Sequence, residues 1–284
     1  MTLKIGFQGE RGAFSEQAII KHFGKKIDVG NVSEDSEVSA VPHYSFQDVF
    51  ENLRDGKIDL GVVPIENFMA GSINQTYDLL LEHKVFIIGE IYLRIKFCLI
   101  GKEGMKISEV KRVVSHPQGI AQCDEFIRKH KFEAVTTYDT AGSVKEVKEN
   151  NNEGEAAIAP EIAADIYGMN VIASGIETVK NNTTRFIIIS KEEKVVDENC
   201  KSSLVFAVKD IPAALYKCLG GFANNNVNLT KLESRPVRGE HGKYLFYLDF
   251  EGSKNDESVQ NALEELKSFT VFIKFLGTYE KGKE

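Results

Sequence analysis

A two-part α/β fold is predicted by three features of this sequence. Short apolar runs alternate with amphipathic helical stretches over residues 1–190, the pattern of repeated βαβ units in two similar lobes with mainly parallel strands. A charged stretch, 191–201, then interrupts the alternation and reads as a linker. Over 202–284 the order changes to βαββαβ, the ferredoxin-like arrangement.

The elements follow from periodicity and punctuation. Lys4-Ile5-Gly6-Phe7 is a first strand, and Ala13 to Ile20 repeats at helical spacing. The glycine-bearing loop Gln8-Gly9-Glu10-Arg11-Gly12 between them admits an anion site, with backbone N–H groups and Arg11 facing the ligand, although a tight turn is the commoner use. Residues 30–40, rich in Ser, Glu and Asp, read as a solvated loop. Ser45 caps a helix through Leu53, Ile58 to Val63 is a strand leading into Pro64-Ile65-Glu66-Asn67, and a helix covers 72–82. Val85 to Glu90 and Ile91 to Ile100 are extended and long enough to cross between lobes. Lys111 to Ser115 is a strand, and His116-Pro117-Gln118-Gly119 opens a helix through Lys129. Strand Ala134–Tyr138, helix Thr140–Asn150, strand Ala156–Ala159 and helix Glu161–Tyr167 follow. In the last part, strands at 204–208, 227–234, 244–250 and 271–276 enclose helices at 212–225 and 256–267, with Pro212 in a first helical turn.

The bulk numbers exclude several functions. With 284 residues, 42% hydrophobic and 27% charged, the chain has material for two hydrophobic cores. A net charge of -7 argues against nucleic acid as partner, but leaves room for a small anion held by local arginines and helix N-termini. No apolar run approaches the ~20 residues of a membrane span. Met1-Thr2-Leu3-Lys4 enters a strand without a secretion signal, so a cytoplasmic protein is expected. Cys98, Cys123, Cys200 and Cys218 are scattered, with no Cys-x-x-Cys pair and no histidine at ligand spacing. Buried reduced thiols are expected, and no zinc site.

The densest concentration of chemistry is Asn181-Asn182-Thr183-Thr184-Arg185-Phe186, which runs into Ile187-Ile188-Ile189. Hydroxyls, amides and a guanidinium enter a β-branched run, where α/β folds present groups to ligands. Arg185 can fork onto a carboxylate, and Thr184 can donate to a leaving oxygen. A polar turn capping a strand is the plain alternative.

Four motifs occur in order: Gly9-Glu10-Arg11-Gly12-Ala13-Phe14-Ser15; Pro64-Ile65-Glu66-Asn67 with Gly71-Ser72-Ile73; Ser115-His116-Pro117-Gln118 with Gln122-Cys123; and Thr184-Arg185-Phe186. Together they resemble prephenate dehydratase. Leu229-Thr230-Lys231-Leu232-Glu233-Ser234-Arg235-Pro236 is similar to the effector segment of that family's ACT regulatory domain. The resemblance covers nearly the whole chain. It implies two periplasmic-binding-protein-like lobes with the active site in their cleft, and no metal, redox cofactor or covalent nucleophile. Thr184 falls at the main catalytic position, with Asn67, Ser115 and Gln122 orienting the substrate. Arg185 would anchor a substrate carboxylate, and Arg11, Glu66 and Phe186 join it in substrate binding.

The same resemblance implies an ACT module that binds phenylalanine through Ala213, Ala214, Leu215, Asn228, Glu233, Ser234, Arg235 and Pro236, within a homodimer or homotetramer. His116 and Glu66 are weighed as acid and base, and a backbone bond and a structural bond are preferred for them. Three positions depart from the family: Phe68 stands where a small hydroxyl residue is usual and would reshape the pocket. Phe97 stands where histidine is common and is expected to matter less. Ala213 replaces the glycine of a Gly-Ala-Leu turn and would crowd an effector. Arogenate dehydratase and a catalytically silent amino-acid sensor are the competing readings.

Overall fold

The computed structural model describes residues 2–24, 27–28, 37–194, 196–237 and 239–283. In chain order the elements begin with β1 (Leu3–Gln8), α1 (Phe14–Phe23), β2 (Ile27–Asp28), β3 (Val38–His43), α2 (Phe46–Arg54), β4 (Leu60–Asn67), β5 (Gly71–Ser72) and α3 (Asn74–Glu82). There follow β6 (Phe86–Arg94), β7 (Cys98–Gly101), a single 3-10 turn, β8 (Arg112–Ser115), α4 (Pro117–Gln122), α5 (Asp124–His130), β9 (Glu133–Thr136) and α6 (Gly142–Asn150). Then come β10 (Glu155–Ala159), α7 (Glu161–Tyr167), β11 (Asn170–Ser174) and β12 (Thr183–Ser190). The final stretch is β13 (Cys200–Val208), α8 (Ala214–Asn224), β14 (Leu229–Pro236), β15 (Tyr244–Glu251), α9 (Glu257–Phe269) and β16 (Thr270–Glu280).

These elements form two compact units that interleave along the chain. One takes residues up to Thr76 together with Ile91–Phe186; the other takes Tyr77–Glu90 and Ile187–Lys283. The first unit is itself two-lobed. Its first sheet runs β12-β4-β1-β3-β2, with β5 folded back on β4, and its second runs β11-β7-β10-β8-β9. Parallel pairing of β1 with β3 and β4, and of β8 with β9 and β10, gives the expected βαβ order. The expectation of mainly parallel strands fails at β7, which runs antiparallel to β10 and β11 because it arrives from the other lobe. The two lobe crossings lie side by side: Ile95 N donates to Asn182 O at 2.8 Å and Ile176 N to Phe97 O at 3.1 Å.

Three local features compare directly with the sequence reading. The polar excursion at 30–40 lies outside the described residues over 30–36, but its end is strand β3. Val38 to His43 pair residue by residue with Leu3 to Gln8, so ladder bonding overrides a turn-like composition. The single helix expected from 117 through 129 is two, α4 and α5, broken at Cys123. The Gln122 carbonyl accepts the Thr178 N–H at 2.8 Å instead of continuing the helical ladder. The Ser45 cap forms as expected: its Oγ accepts from Asp48 N at 3.1 Å, and Asp48 Oδ2 accepts from Ser45 N at 3.0 Å.

The second unit holds the βαββαβ module, with its sheet in the order β14-β15-β13-β16 followed by β6. Leu204, Phe206, Cys218, Phe222, Leu248, Phe250, Ala262 and Leu266 form the core between this sheet and α8 and α9. Strand β6 approaches β16 so closely that a Cβ on Gly277 would stand 2.2 Å from the Ile87 carbonyl oxygen, so only glycine fits there. The second part of α3 is held in the same unit. Lys274 Nζ donates to the carbonyls of Leu80, Leu81 and His83 at 2.7, 3.1 and 2.6 Å, closing the helix C-terminus. Burial of that ammonium pulls its pKa below the ordinary lysine value.

Helix α8 begins two residues later than the sequence suggests, so Pro212 lies in the preceding turn and not in the first helical turn. Ala213 is the N-cap residue and has φ 63°, a left-handed conformation that costs an L-residue with a Cβ about 1–2 kcal/mol. Glycine removes that cost at the expense of some chain entropy. Ala213→Gly is therefore expected to stabilise this unit by about 0.5–1 kcal/mol in urea unfolding. A loss of stability would show that the left-handed turn is not the strained feature.

Candidate active site

The site grows from two neighbouring strands of the first unit. Along β12 side chains alternate, so Thr184 and Phe186 share one face and Arg185 takes the other. At the end of β4 the chain turns, and Asn67 Oδ1 accepts the backbone N–H groups of Met69 and Ala70 at 3.0 and 2.8 Å. The amide nitrogen of Asn67 must then face the other way. It donates to Thr184 Oγ1 at 2.8 Å and to Asn182 Oδ1 at 2.7 Å. Asn182 in turn donates its Nδ2 to Gln122 Oε1 at 2.9 Å. Because Thr184 Oγ1 accepts in this bond, its hydroxyl proton is left to donate elsewhere.

Thr184, Asn67, Gln122 and Phe186 line a cavity of about 120 Å³, closed by Phe14, Ser15, Pro64, Phe97, Gln118 and Gly119. Phe14 and Phe97 meet edge to face with centroids 5.0 Å apart, giving this cavity an apolar wall. A more polar cavity of about 410 Å³ adjoins it through Pro64, Ile73, Gln118 and Thr140, and adds Gln8, Tyr44, Ser45, His116, Tyr138 and Asp139. Among the described residues no lysine or arginine lines either one. Positive potential comes instead from helix starts. Phe14 and Ser15 begin α1, Phe46 begins α2, Gln75 lies in the first turn of α3, Gln118 and Gly119 lie in that of α4, and Thr140 precedes α6. Helix N-termini converging on two joined cavities suit an anion with more than one carboxylate.

Several titratable groups nearby are shifted by burial. Burial pushes the Asp139 carboxyl above the usual carboxylate value, against the opposing effect of backbone N–H groups from Gly142, Glu10 and Ala141. Burial, with a hydrogen bond to Glu10 at 2.6 Å, raises the Tyr138 phenol far above its ordinary value. Burial also pushes the Cys98 thiol up to about 11 and Cys123 higher still, so neither is a thiolate near neutrality.

Several residues singled out in the sequence are placed differently. Arg185 is only 2% exposed and donates from Nη1 to Glu66 Oε1 at 3.1 Å, on the strand face opposite Thr184. It lines neither cavity, and neither does Glu66. The expected anion loop is occupied by the protein's own carboxylate. Glu16 accepts from Gly12 N at 2.5 Å and from Arg11 Nε at 2.6 Å, so Arg11 faces Glu16 and not a ligand. Ser115 is buried beneath the start of α4, with its hydroxyl donated to Ile158 O at 2.7 Å. His116 makes the backbone bond expected of it, its Nδ1 accepting from Gln118 N at 3.2 Å.

The two phenylalanine departures stand differently toward the cavity. Phe68 is 57% exposed, sits 6.0 Å from the Tyr92 ring and does not reach the cavity. Phe97, expected to matter less, is a wall of it, fixed by its N–H donating to Glu177 Oε2 at 3.0 Å. Asn182 lies in the polar run, where the sequence assigns it no role. Its doubled asparagine beside a strand is the only signal the sequence offers.

In the second unit, β14 is the edge strand. Glu233 and Arg235 are half-buried on one face; Ser234 and Pro236 are exposed on the other. Arg235 Nη2 is engaged by Asp78 Oδ1 at 2.9 Å, and Asn228 donates to Glu251 Oε2 at 3.2 Å. Ala214 is buried and Leu215 half-buried at the start of α8.

Two α/β lobes present helix starts and a hydroxyl–amide chain to the same pair of joined cavities. The chain belongs to the prephenate dehydratase family, whose model matches residues 5–194, and so to a family of lyases. It is 38% identical over 288 residues to arogenate dehydratase/prephenate dehydratase 2, chloroplastic, of Arabidopsis thaliana, covering 98% of this chain and 72% of the relative. The crystal structure of prephenate dehydratase from Arthrobacter aurescens in complex with L-Phe superposes with a TM-score of 0.85 at 30% identity, covering 98% of this chain and 90% of that one. A structure described as GqqA, a novel type of quorum quenching acylases, gives 0.86 at 31%, covering 98% of both chains.

Two substitutions check this geometry. Phe68→Ala is expected to leave kcat/KM within about twofold, since the ring stands outside the cavity; a larger fall would place it in the pocket. Glu16→Gln removes a buried acceptor of two charge-assisted bonds and should lower stability in urea by about 1–3 kcal/mol.

Proposed function

We infer that this protein converts prephenate to phenylpyruvate, with loss of water and CO2, on the route to phenylalanine. The observation that carries the reading is the bond from Asn67 Nδ2 to Thr184 Oγ1, which leaves the threonine hydroxyl proton to donate toward a cavity with an apolar wall. Prephenate carries a ring hydroxyl para to a quaternary carbon that bears a carboxylate. As the carbon–carbon bond to that carboxylate breaks, its electron pair enters the ring and the opposite C–O bond opens. The departing oxygen takes a proton and leaves as water, CO2 is released, and the ring becomes aromatic.

Each neighbour has a part in this. Thr184 donates to the leaving oxygen, an interaction worth roughly 10²–10⁴-fold when preorganised. Phe14, Phe97 and Phe186 surround the ring and keep its carboxylate poorly solvated. The helix starts and the Gln122 amide hold the carboxylates. The buried Arg185 and the half-buried Glu66 pair behind β12, supporting the strand that carries Thr184. Ser115 supports α4 from below.

The reading divides the chain into a catalytic part at 1–190, a linker at 191–201 and an ACT regulatory part at 202–284. The ferredoxin-like strand order of the last part supports it. Phenylalanine would bind there along Ala213, Ala214, Leu215, Asn228, Glu233, Ser234, Arg235 and Pro236, in a homodimer or homotetramer. The open edge of β14 supports such pairing, and the Arthrobacter aurescens neighbour is itself a complex with L-Phe. The four buried, unpaired cysteines suit a reducing compartment such as the cytoplasm.

Arogenate, the aminated form of prephenate, is the second substrate to test, because a relative 38% identical over 98% of this chain is named for both activities. An acylase is less well supported: Thr184 is partnered by an amide, which cannot take its proton. Turnover of prephenate and of arogenate, with and without phenylalanine, separates these readings. On the preferred substrate, Thr184→Ala is expected to lower kcat by about 10²–10⁴-fold with an unchanged circular dichroism spectrum, and Thr184→Ser to retain most of the rate. Unchanged kcat in the alanine variant would remove Thr184 from the chemistry.

A further inference from the structure

We propose that Asn182 is a positioning residue that sets the hydrogen-bond polarity of the cavity. It is 2% exposed, and both ends of its amide are in use within the first unit. The direction of every bond in this chain follows from the turn after β4. Two backbone N–H groups bind Asn67 Oδ1, so Asn67 presents its NH2 to Asn182. Asn182 must answer with Oδ1 and so directs its own NH2 at Gln122 Oε1. Gln122 is then fixed with its oxygen committed to Asn182, which leaves its NH2 as the end to offer a ligand at the cavities it lines. Thr184 and Gln122 are thereby both donors toward a bound anion. A Gln122 amide turned the other way would offer an acceptor lone pair to a carboxylate.

Only a side chain that accepts on one side and donates on the other transmits this orientation. An aspartate at 182 would accept from Asn67 when ionised, but could not donate to Gln122. The glutamine would turn its NH2 inward and present Oε1 to the substrate. Protonated, the same carboxyl would accept from Asn67 and donate its O–H to Gln122, restoring the original polarity. Asp124, Glu125 and Glu177 line the cavity on the far side of Asn182 and would raise the pKa of an introduced carboxyl, while Lys180 would lower it.

The kinetic part of the test rests on the dehydratase reading. With enzyme-free controls subtracting spontaneous breakdown of substrate in acid, N182D is expected to lose about tenfold to 10²-fold in kcat above neutrality, with KM raised as well because Gln122 holds a carboxylate. Its kcat should recover toward that of the wild type as pH falls through the pKa of the introduced carboxyl. N182A should be slow at every pH. A constant ratio of N182D to wild type across pH, or kcat near wild type in both variants, would overturn the proposal.

A second readout needs no turnover. In N182D carrying 15N-glutamine, the Gln122 side-chain NH2 signal should shift with pH and follow one midpoint; in the wild type it should not. Titration of that signal in a protein that turns over neither prephenate nor arogenate would sink the dehydratase reading and leave the relay standing. An active wild type whose N182D variant shows no titration of Gln122 would do the reverse.

Discussion

At the end of β4 the backbone gives two of its own N–H groups to one side-chain oxygen, that of Asn67, and the rest of the site inherits its orientation from that choice. An amide is a donor at one end and an acceptor at the other, so fixing one end fixes both. The consequence travels from Asn67 to Thr184 in one direction and through Asn182 to Gln122 in the other. A threonine hydroxyl is a weak group for chemistry. Here its oxygen accepts from Asn67, whose own amide oxygen is already taken by two backbone N–H groups, so the hydroxyl proton is the part left to act.

The handling of charge shows the same economy. Two arginines of the first unit are paired internally: Arg185 with Glu66 and Arg11 with Glu16. The two joined cavities are lined instead by helix N-termini, whose partial charges need no counter-ion and bring in no long flexible side chain. The loop Gly9–Gly12 looks like an anion cradle because it is one, but the anion is Glu16, supplied from the first turn of α1.

This explains which parts of the fold and site are legible in the sequence. Strand and helix order is readable because apolar spacing records burial locally, as in β1 and the capped α2. Strand β3 escapes such a reading because its pairing with β1 is a tertiary fact carried by backbone bonds, to which composition is blind. Thr184, Asn67 and Gln122 are found through motif resemblance, and the structure brings them together. Arg185 stands out because charge suggests a ligand, while strand alternation, equally visible in the sequence, puts it on the face away from Thr184, where it meets Glu66. Phe68 and Phe97 are ranked in the sequence by how unusual they look, whereas the relevant variable is which way each side chain points. Asn182 gives almost no signal, since a doubled asparagine beside a strand is most often a turn.

The cysteines carry a practical consequence. All four are buried, and burial raises each thiol above its ordinary range, so each is both screened and protonated at neutral pH. The native chain is thus nearly silent toward maleimides and methanethiosulfonates. A single cysteine engineered onto the surface would carry a fluorophore or spin label at a unique position, with no need to strip the native thiols from the cores they fill.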